Sequence, residues 1–172
     1  MATAITHLGK LQVGIESTKG TLVPATVTIP CKWTAEETQE RYYSPFARGQ
    51  RSPVGGGVGT TVMKGLAVGV ETELTAEDIV WPLSTGIRGS ITPTNNTPMY
   101  TWVWTPQLTT GIPTIQTLTA EMIESDGTTN QYYGESGYMM TESLGISYKE
   151  NAPATLKWRM FGRARQSGTP TG

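Results

Sequence analysis

Apolar and polar residues alternate with a two-residue period in three runs toward the C-terminal end of the chain. The strands these runs predict organise the rest. In TIQTLTAEMIE, Leu118, Ala120 and Met122 are apolar and Thr117, Thr119 and Glu121 are polar, the pattern of a half-buried strand. MMTESLGISYK sets Met140, Leu144, Ile146 and Tyr148 on one side against Thr141, Ser143, Gly145, Ser147 and Lys149 on the other. After the break Glu150-Asn151-Ala152-Pro153, ATLKWRMFGRAR places Leu156, Trp158 and Met160 inward and Thr155, Lys157, Arg159, Arg163 and Arg165 outward. Three such strands joined by turn-rich connections predict an antiparallel sheet with one face packed and one face wet.

The upstream pattern is weaker. Residues 11–15 read as an extended stretch, and residues 26–33 as a strand that Pro24 and Pro30 demote to an edge, since proline cannot donate to a ladder. Residues 34–61 are polar, and although Thr34 with Glu37 forms a capping-box pattern, no apolar stripe of helical period follows. They are expected to form a long protruding loop with Gly55-Gly56-Gly57 at its tip. KGLAVGVETEL resumes the alternation with Leu66, Val68, Val70 and Leu74. It runs into TAEDIVWPLSTGI, where Thr75 and Asp78 supply a cap and Pro82 limits the helix to a short kinked one over residues 76–85. YTWVWTP places Tyr100, Trp102 and Trp104 on one face of a strand, and residues 166–172 read as a flexible tail. Residues 1–165 then form a single, mainly β domain: an antiparallel sandwich or barrel-forming sheet flanked by one short helix.

Composition agrees with that class. With 29 Thr, 20 Gly and 11 Pro in 172 residues, the chain is rich in strand and turn formers. Its 13 basic and 14 acidic residues nearly cancel, so no global field draws it to nucleic acid or to a membrane surface. No stretch is long and apolar enough to span a bilayer, and the N-terminus lacks the pattern of a secretory signal. In that setting Asn95-Asn96-Thr97 reads as an accidental match to a glycosylation site.

The search for chemistry is negative. His7 stands alone with no nucleophile elbow nearby, so a nucleophile–base pair lacks its base. PVGGGVGTT is glycine-rich but has neither Gly-Lys-Ser/Thr nor the G-x-G-x-x-G spacing. Glu71, Glu73, Glu77 and Asp78 lack the spacing of a calcium loop, and Cys31 alternates with Val27, Ile29 and Trp33 as a small buried hydrophobe. No enzyme, cofactor or metal is expected. The basic row Lys157, Arg159, Arg163 and Arg165 reads as a solvated face paired with Glu121 and Glu142, or as an interface for an acidic partner surface.

The order of parts GIESTKGTLVPATVTIP, ARGQRSPVGGG, KGLAVGVETELTAEDIVWPL and KWRMFGR resembles the tail tube (major tail) proteins of long-tailed bacteriophages over nearly the whole chain. The resemblance implies a β-sandwich with one helix. It also implies hexameric, stacked rings whose inner sheets join around a lumen, a virion tail assembled in the host cytoplasm, and a conduit for DNA during ejection. Tape measure, tail terminator and distal tail proteins are the further partners it implies. On this reading Thr117, Thr119, Glu121, Ser143, Gly145 and Ser147 face the channel. The loop over residues 34–61 stacks rings through Glu36, Glu37, Glu40, Arg41, Tyr42, Tyr43, Phe46, Arg48 and Arg51. The alternative from another class is a carbohydrate-binding or adhesin sandwich that uses Tyr100, Trp102 and Trp104 as a stacking platform.

Overall fold

The computed structural model describes residues 8–42, 60–87, 92–106, 115–125, 130–168 and 171. In chain order the elements are β1 (Leu8–Ile15), β2 (Val27–Ile29), β3 (Lys32–Tyr42), β4 (Thr60–Glu73), α1 (Val80–Gly86), β5 (Thr94–Asn96), β6 (Met99–Thr101), β7 (Leu118–Ser125), β8 (Asn130–Ser147) and β9 (Thr155–Arg163). Seven strands form one sheet in the order β2-β1-β7-β8-β9-β4-β3, with every pairing antiparallel, and β5 with β6 makes a separate small hairpin.

The 18-residue β8 is shared by two half-sheets. Its residues 130–139 pair with β7 and its residues 140–147 with β9. Between them Tyr138 has a positive φ of 59°, a left-handed backbone that a non-glycine residue rarely adopts, and the ladder turns there. The halves pack face to face. Leu11, Val13, Ile29, Leu118, Ala120, Met122 and Met139 from one half meet Leu66, Val68, Val70, Leu156, Trp158 and Met160 from the other. This is the expected antiparallel sandwich with one short helix among the described residues.

The sheet does not close into a barrel, although its ends come near one another. β2 and β3 lie at opposite ends of the strand order yet are separated only by Pro30 and Cys31, and the two strands do not pair. The Thr72 hydroxyl donates to the Pro30 carbonyl at 2.8 Å, tying this junction to β4. Trp33 at the start of β3 lies on β1: a Cβ at Gly9 would sit 2.7 Å from its indole nitrogen. The reading of residues 26–33 as an edge broken by proline matches β2 and the break after it.

Other expectations need correction. Residues 34–42 and 60–61 are not loop, because β3 and β4 pair from Lys32↔Glu71 to Tyr42↔Thr60. Beyond Ala35 β3 leaves the core, so both its faces meet solvent and Glu36, Glu37, Thr38, Gln39 and Glu40 are all exposed. The hydrophobic pattern fades there while the ladder continues. In β8 it is Met139, not Met140, that reaches the core, because a bulge between Thr141 and Ser143 shifts the side-chain parity before Leu144. The Thr75 and Asp78 cap forms, with the Asp78 N–H donating to the Thr75 hydroxyl at 3.0 Å, but it closes a turn and α1 begins only at Val80. Pro82 has no N–H with which to bond the carbonyl of Asp78. Of residues 166–172, Gln166 bridges to Glu135 and the Thr171 N–H donates to Glu121 at 2.9 Å.

Leu118 and Met160 face each other's half-sheets with no exposed surface. Leu118→Ala and Met160→Ala are each expected to lower unfolding stability by about 2–5 kcal/mol, read as a fall in the urea midpoint at constant slope.

Candidate assembly surfaces

The outward face of β8 (residues 140–147), β9, β4 and β3 is a low-relief wall. Register aligns Lys32, Glu71, Lys157 and Gly145 in one cross-strand row, and Thr34, Gly69, Arg159 and Ser143 in the next. Residues paired in an antiparallel ladder share a face, so Ser143, Gly145 and Ser147 stand beside Lys157 and Arg159. The long basic side chains lie across positions kept small by Gly69 and Gly145, where a shallow groove forms. Lys157 Nζ is 3.1 Å from Glu71, and Arg159 is 3.0 Å from both Glu36 and Glu142. These pairs are about half exposed, so each contributes little stability, but together they cancel charge along the wall. Of the two acidic neighbours expected from the sequence, Glu142 is a partner and Glu121 is not.

Arg163 and Arg165 have different tasks. Arg163 donates to the Gly20 carbonyl at 2.9 Å and lies 5.7 Å from the ring centre of Tyr138. Gly20 has a φ of 76°, and a Cβ there would meet the guanidinium of Arg163. Arg165 pairs with Glu37 at 2.7 Å across the β3 edge.

Thr117, Thr119 and Glu121 are on the face opposite Leu118, Ala120 and Met122, as their parity requires, but they are not exposed: all three are buried. The segment over residues 16–26 crosses this second face of β7. Glu16 is the centre of the contact. Its carboxylate accepts from the Thr117 hydroxyl at 2.7 Å, the Thr119 hydroxyl at 3.2 Å, the Gly20 N–H at 2.6 Å and the Tyr138 N–H at 2.8 Å. The Val23 N–H donates to the Thr119 hydroxyl at 3.1 Å and the Ala25 N–H to Glu121 at 3.2 Å. The crossing segment is thus held by side-chain acceptors in place of a backbone ladder. Glu16 was missed from the sequence because nothing in GIESTKG distinguishes a buried carboxylate from a solvated one.

The wall also has unpaired edges. Among the described residues, no strand pairs with β3 opposite β4 or with residues 143–147 of β8 opposite β9. Next to that second edge Leu144, Ile146 and Tyr148 are 38%, 55% and 76% exposed, so the apolar row expected to be packed extends past the opposing half-sheet. Arg41 and Tyr42 belong to β3, but their side chains, together with Tyr43, Phe46, Arg48, Arg51, Gly55-Gly56-Gly57 and His7, lie outside the described residues.

The three aromatics do not form a strand face. β6 ends at Thr101, leaving Tyr100 61% exposed while Trp102 and Trp104 are half-buried, and the Trp104 indole donates to Ser84 of α1 at 3.1 Å. Cys31 packs beside the core, and burial, with the charge of Asp78 adding to it, pushes its thiol up to about 12. Among the described residues no group of His, Cys, Asp and Glu side chains is arranged to hold a metal ion, and no helix is long and apolar enough to cross a membrane. Comparison with models of protein families gives no match to this chain, and comparison with curated proteins gives no relative.

Thr117→Val should cost about 1–3 kcal/mol, because it removes one donor from the buried Glu16 carboxylate. Ser143→Ala on the open wall should stay within about 0.5 kcal/mol of the parent. Paired denaturant curves check both. Cys31 should resist iodoacetamide at neutral pH in the folded chain and react once urea unfolds it, since the thiolate is the nucleophile; labelling followed by mass measurement reads this directly.

Proposed function

We propose that the chain is a structural, non-enzymatic subunit that assembles head to tail into rings and stacked rings, forming the tail tube of a long-tailed bacteriophage. The observation that carries the reading is the pair of edges, unpaired among the described residues, on opposite sides of one four-stranded half-sheet, β3 at one side and residues 143–147 of β8 at the other. An open edge invites pairing with another chain, and two edges on opposite sides of one half-sheet suit a heterologous contact that closes when the rotation per subunit divides a circle. The exposed row Leu144, Ile146 and Tyr148 gives the seam an apolar centre.

In this reading the channel is lined by the wall of Thr34, Ala67, Gly69, Ser143, Gly145 and Ser147 with Lys157 and Arg159. Thr117, Thr119 and Glu121 drop out of the lining because they are buried within the subunit. The wall suits passage of DNA. Its small side chains leave few anchors, and carboxylates neutralise Lys157 and Arg159, which limits the counterion release that drives tight phosphate binding. Stacking between rings falls to the projecting β3–β4 hairpin, with Glu36, Glu37 and Glu40 exposed on β3. The tape measure, terminator and distal tail proteins, and residence in the virion, belong to the same proposal.

Negative-stain microscopy of the purified chain should show rings or tubes. Ile146→Lys, at a half-exposed position, should leave the circular dichroism spectrum and melting temperature of the subunit unchanged and stop growth beyond small species in light scattering. A parent chain that stays monomeric at every salt and protein concentration would sink the proposal. For the lining, a cysteine placed by Ser143→Cys should take a bulky maleimide in the free subunit and be shielded in assembled tubes; equal labelling in both states would remove this wall from the lumen.

A further inference from the structure

A cleft of about 630 Å³ lies between β2, the turn before α1 and the chain just after β6. It shares no lining residue with the groove on the wall. Its volume falls in the range that holds small ligands, roughly 300–1,000 Å³. Val27 lines it from β2 and Pro30 from the junction that follows, Glu77 and Asp78 from the turn, Trp81 from α1 and Trp102 from the segment after β6. Two indoles and two carboxylates thus meet in one place. Among the described residues neither Glu77 nor Asp78 forms an ion pair, whereas Glu36, Glu37, Glu71 and Glu142 all do.

Asp78 is only 8% exposed. Its Oδ2 accepts from the Thr75 hydroxyl at 2.7 Å, and its other oxygen accepts no hydrogen bond among the described residues. Capping of the turn accounts for the first oxygen and for the Asp78 N–H. It leaves the second oxygen, Glu77 and the two indoles without a task. Both carboxylates precede the first turn of α1, whose positive end offsets only about half a charge between them. The cleft therefore keeps a negative balance beside two aromatic rings, the setting that attracts an organic cation. β2 adds a backbone edge. It ends the strand order, and among the described residues no strand pairs with it opposite β1. Val27 and Thr28 of this strand are exposed and both line the cleft. An open edge beside a pocket suits an extended peptide, whose main chain binds along the strand while one side chain fills the pocket.

We propose that this cleft docks an extended, arginine-bearing segment of a partner protein, with the guanidinium against Trp81 and Trp102 and paired to Asp78 and Glu77. Arginine fits the lining better than lysine. Its planar guanidinium stacks on an indole face and presents a fork of donors to a carboxylate, and its methylenes find apolar cover in Val27 and Pro30. The site is separate from the wall and the edges through which the subunits are proposed to assemble, and it does not rest on that assembly.

Calorimetric titration of the purified full chain with a short capped alanine peptide carrying a central arginine tests the site. Saturable binding is expected, and it should be about tenfold weaker when citrulline, a neutral isostere, replaces the arginine. N-acetylarginine amide, which has no extended backbone to lie along β2, should bind less well than the peptide. Asp78→Asn should weaken peptide binding about tenfold. Glu77→Gln and Trp102→Leu should each weaken it about threefold. Glu77 is exposed, so its variant keeps the test decisive where Asp78→Asn fails to fold, and its light scattering should match the parent's. Absence of binding, equal binding of the citrulline peptide or of N-acetylarginine amide, or an affinity untouched by both Glu77→Gln and Trp102→Leu overturns the proposal. So does binding of maltose in place of the peptide, which would make the cleft a sugar platform. Loss of assembly in Glu77→Gln without peptide uptake by the parent would assign the cleft to a second copy of the chain, and also overturns it.

Discussion

The left-handed backbone of Tyr138 is the constraint on which the rest depends. A non-glycine residue is rarely held there unless its surroundings determine it. Here Glu16 accepts the Tyr138 N–H, Arg163 approaches the ring, and the same Arg163 holds the Gly20 turn whose N–H also feeds Glu16. Without this corner β8 would continue straight, with β7 along one edge of it and β9 along the other in one open sheet. With it, one strand serves both halves, and the sheet folds over to bury Leu118, Met122 and Met139 against Val68, Trp158 and Met160.

A folded single sheet explains the uneven treatment of polar residues. Near the corner, β7 is covered on both faces, so its threonines and Glu121 must find partners inside the molecule. Away from the corner, β8 runs past its opposing half-sheet and exposes Leu144 and Ile146 as well as Ser143 and Gly145. The two polar rows that look alike in the sequence therefore do opposite work. One is an internal fastening for residues 16–26 and Thr171, and the other is open surface beside an edge that no described strand pairs with.

Charge follows the same division. On the wall, carboxylates and basic groups alternate across strands and remain hydrated, so they shape the potential of the face more than the stability of the fold. Under the crossing segment the carboxylates are dry, and each needs several donors because an unpaired buried charge is costly. The two sets stay apart: the buried network holds residues 16–26 against β7, and the open wall keeps its charges hydrated.

The sequence by itself determined the strands whose partners are apolar and the side chains that alternate on them. Leu66, Val68, Val70, Leu118, Ala120, Met122, Leu156, Trp158 and Met160 were legible as core, as were the proline break after β2 and the Thr75 cap, because each rests on short-range periodicity or local backbone chemistry. Only the tertiary structure decided that residues 34–42 are a strand, since beyond Ala35 β3 has no buried face to write a pattern and is specified by its partner β4. It also decided the parity of β8, because a bulge is a property of two strands together. And it decided that Thr117, Thr119 and Glu121 are inside: alternation says which side chains share a face, but whether a second layer covers that face depends on residues about a hundred positions away.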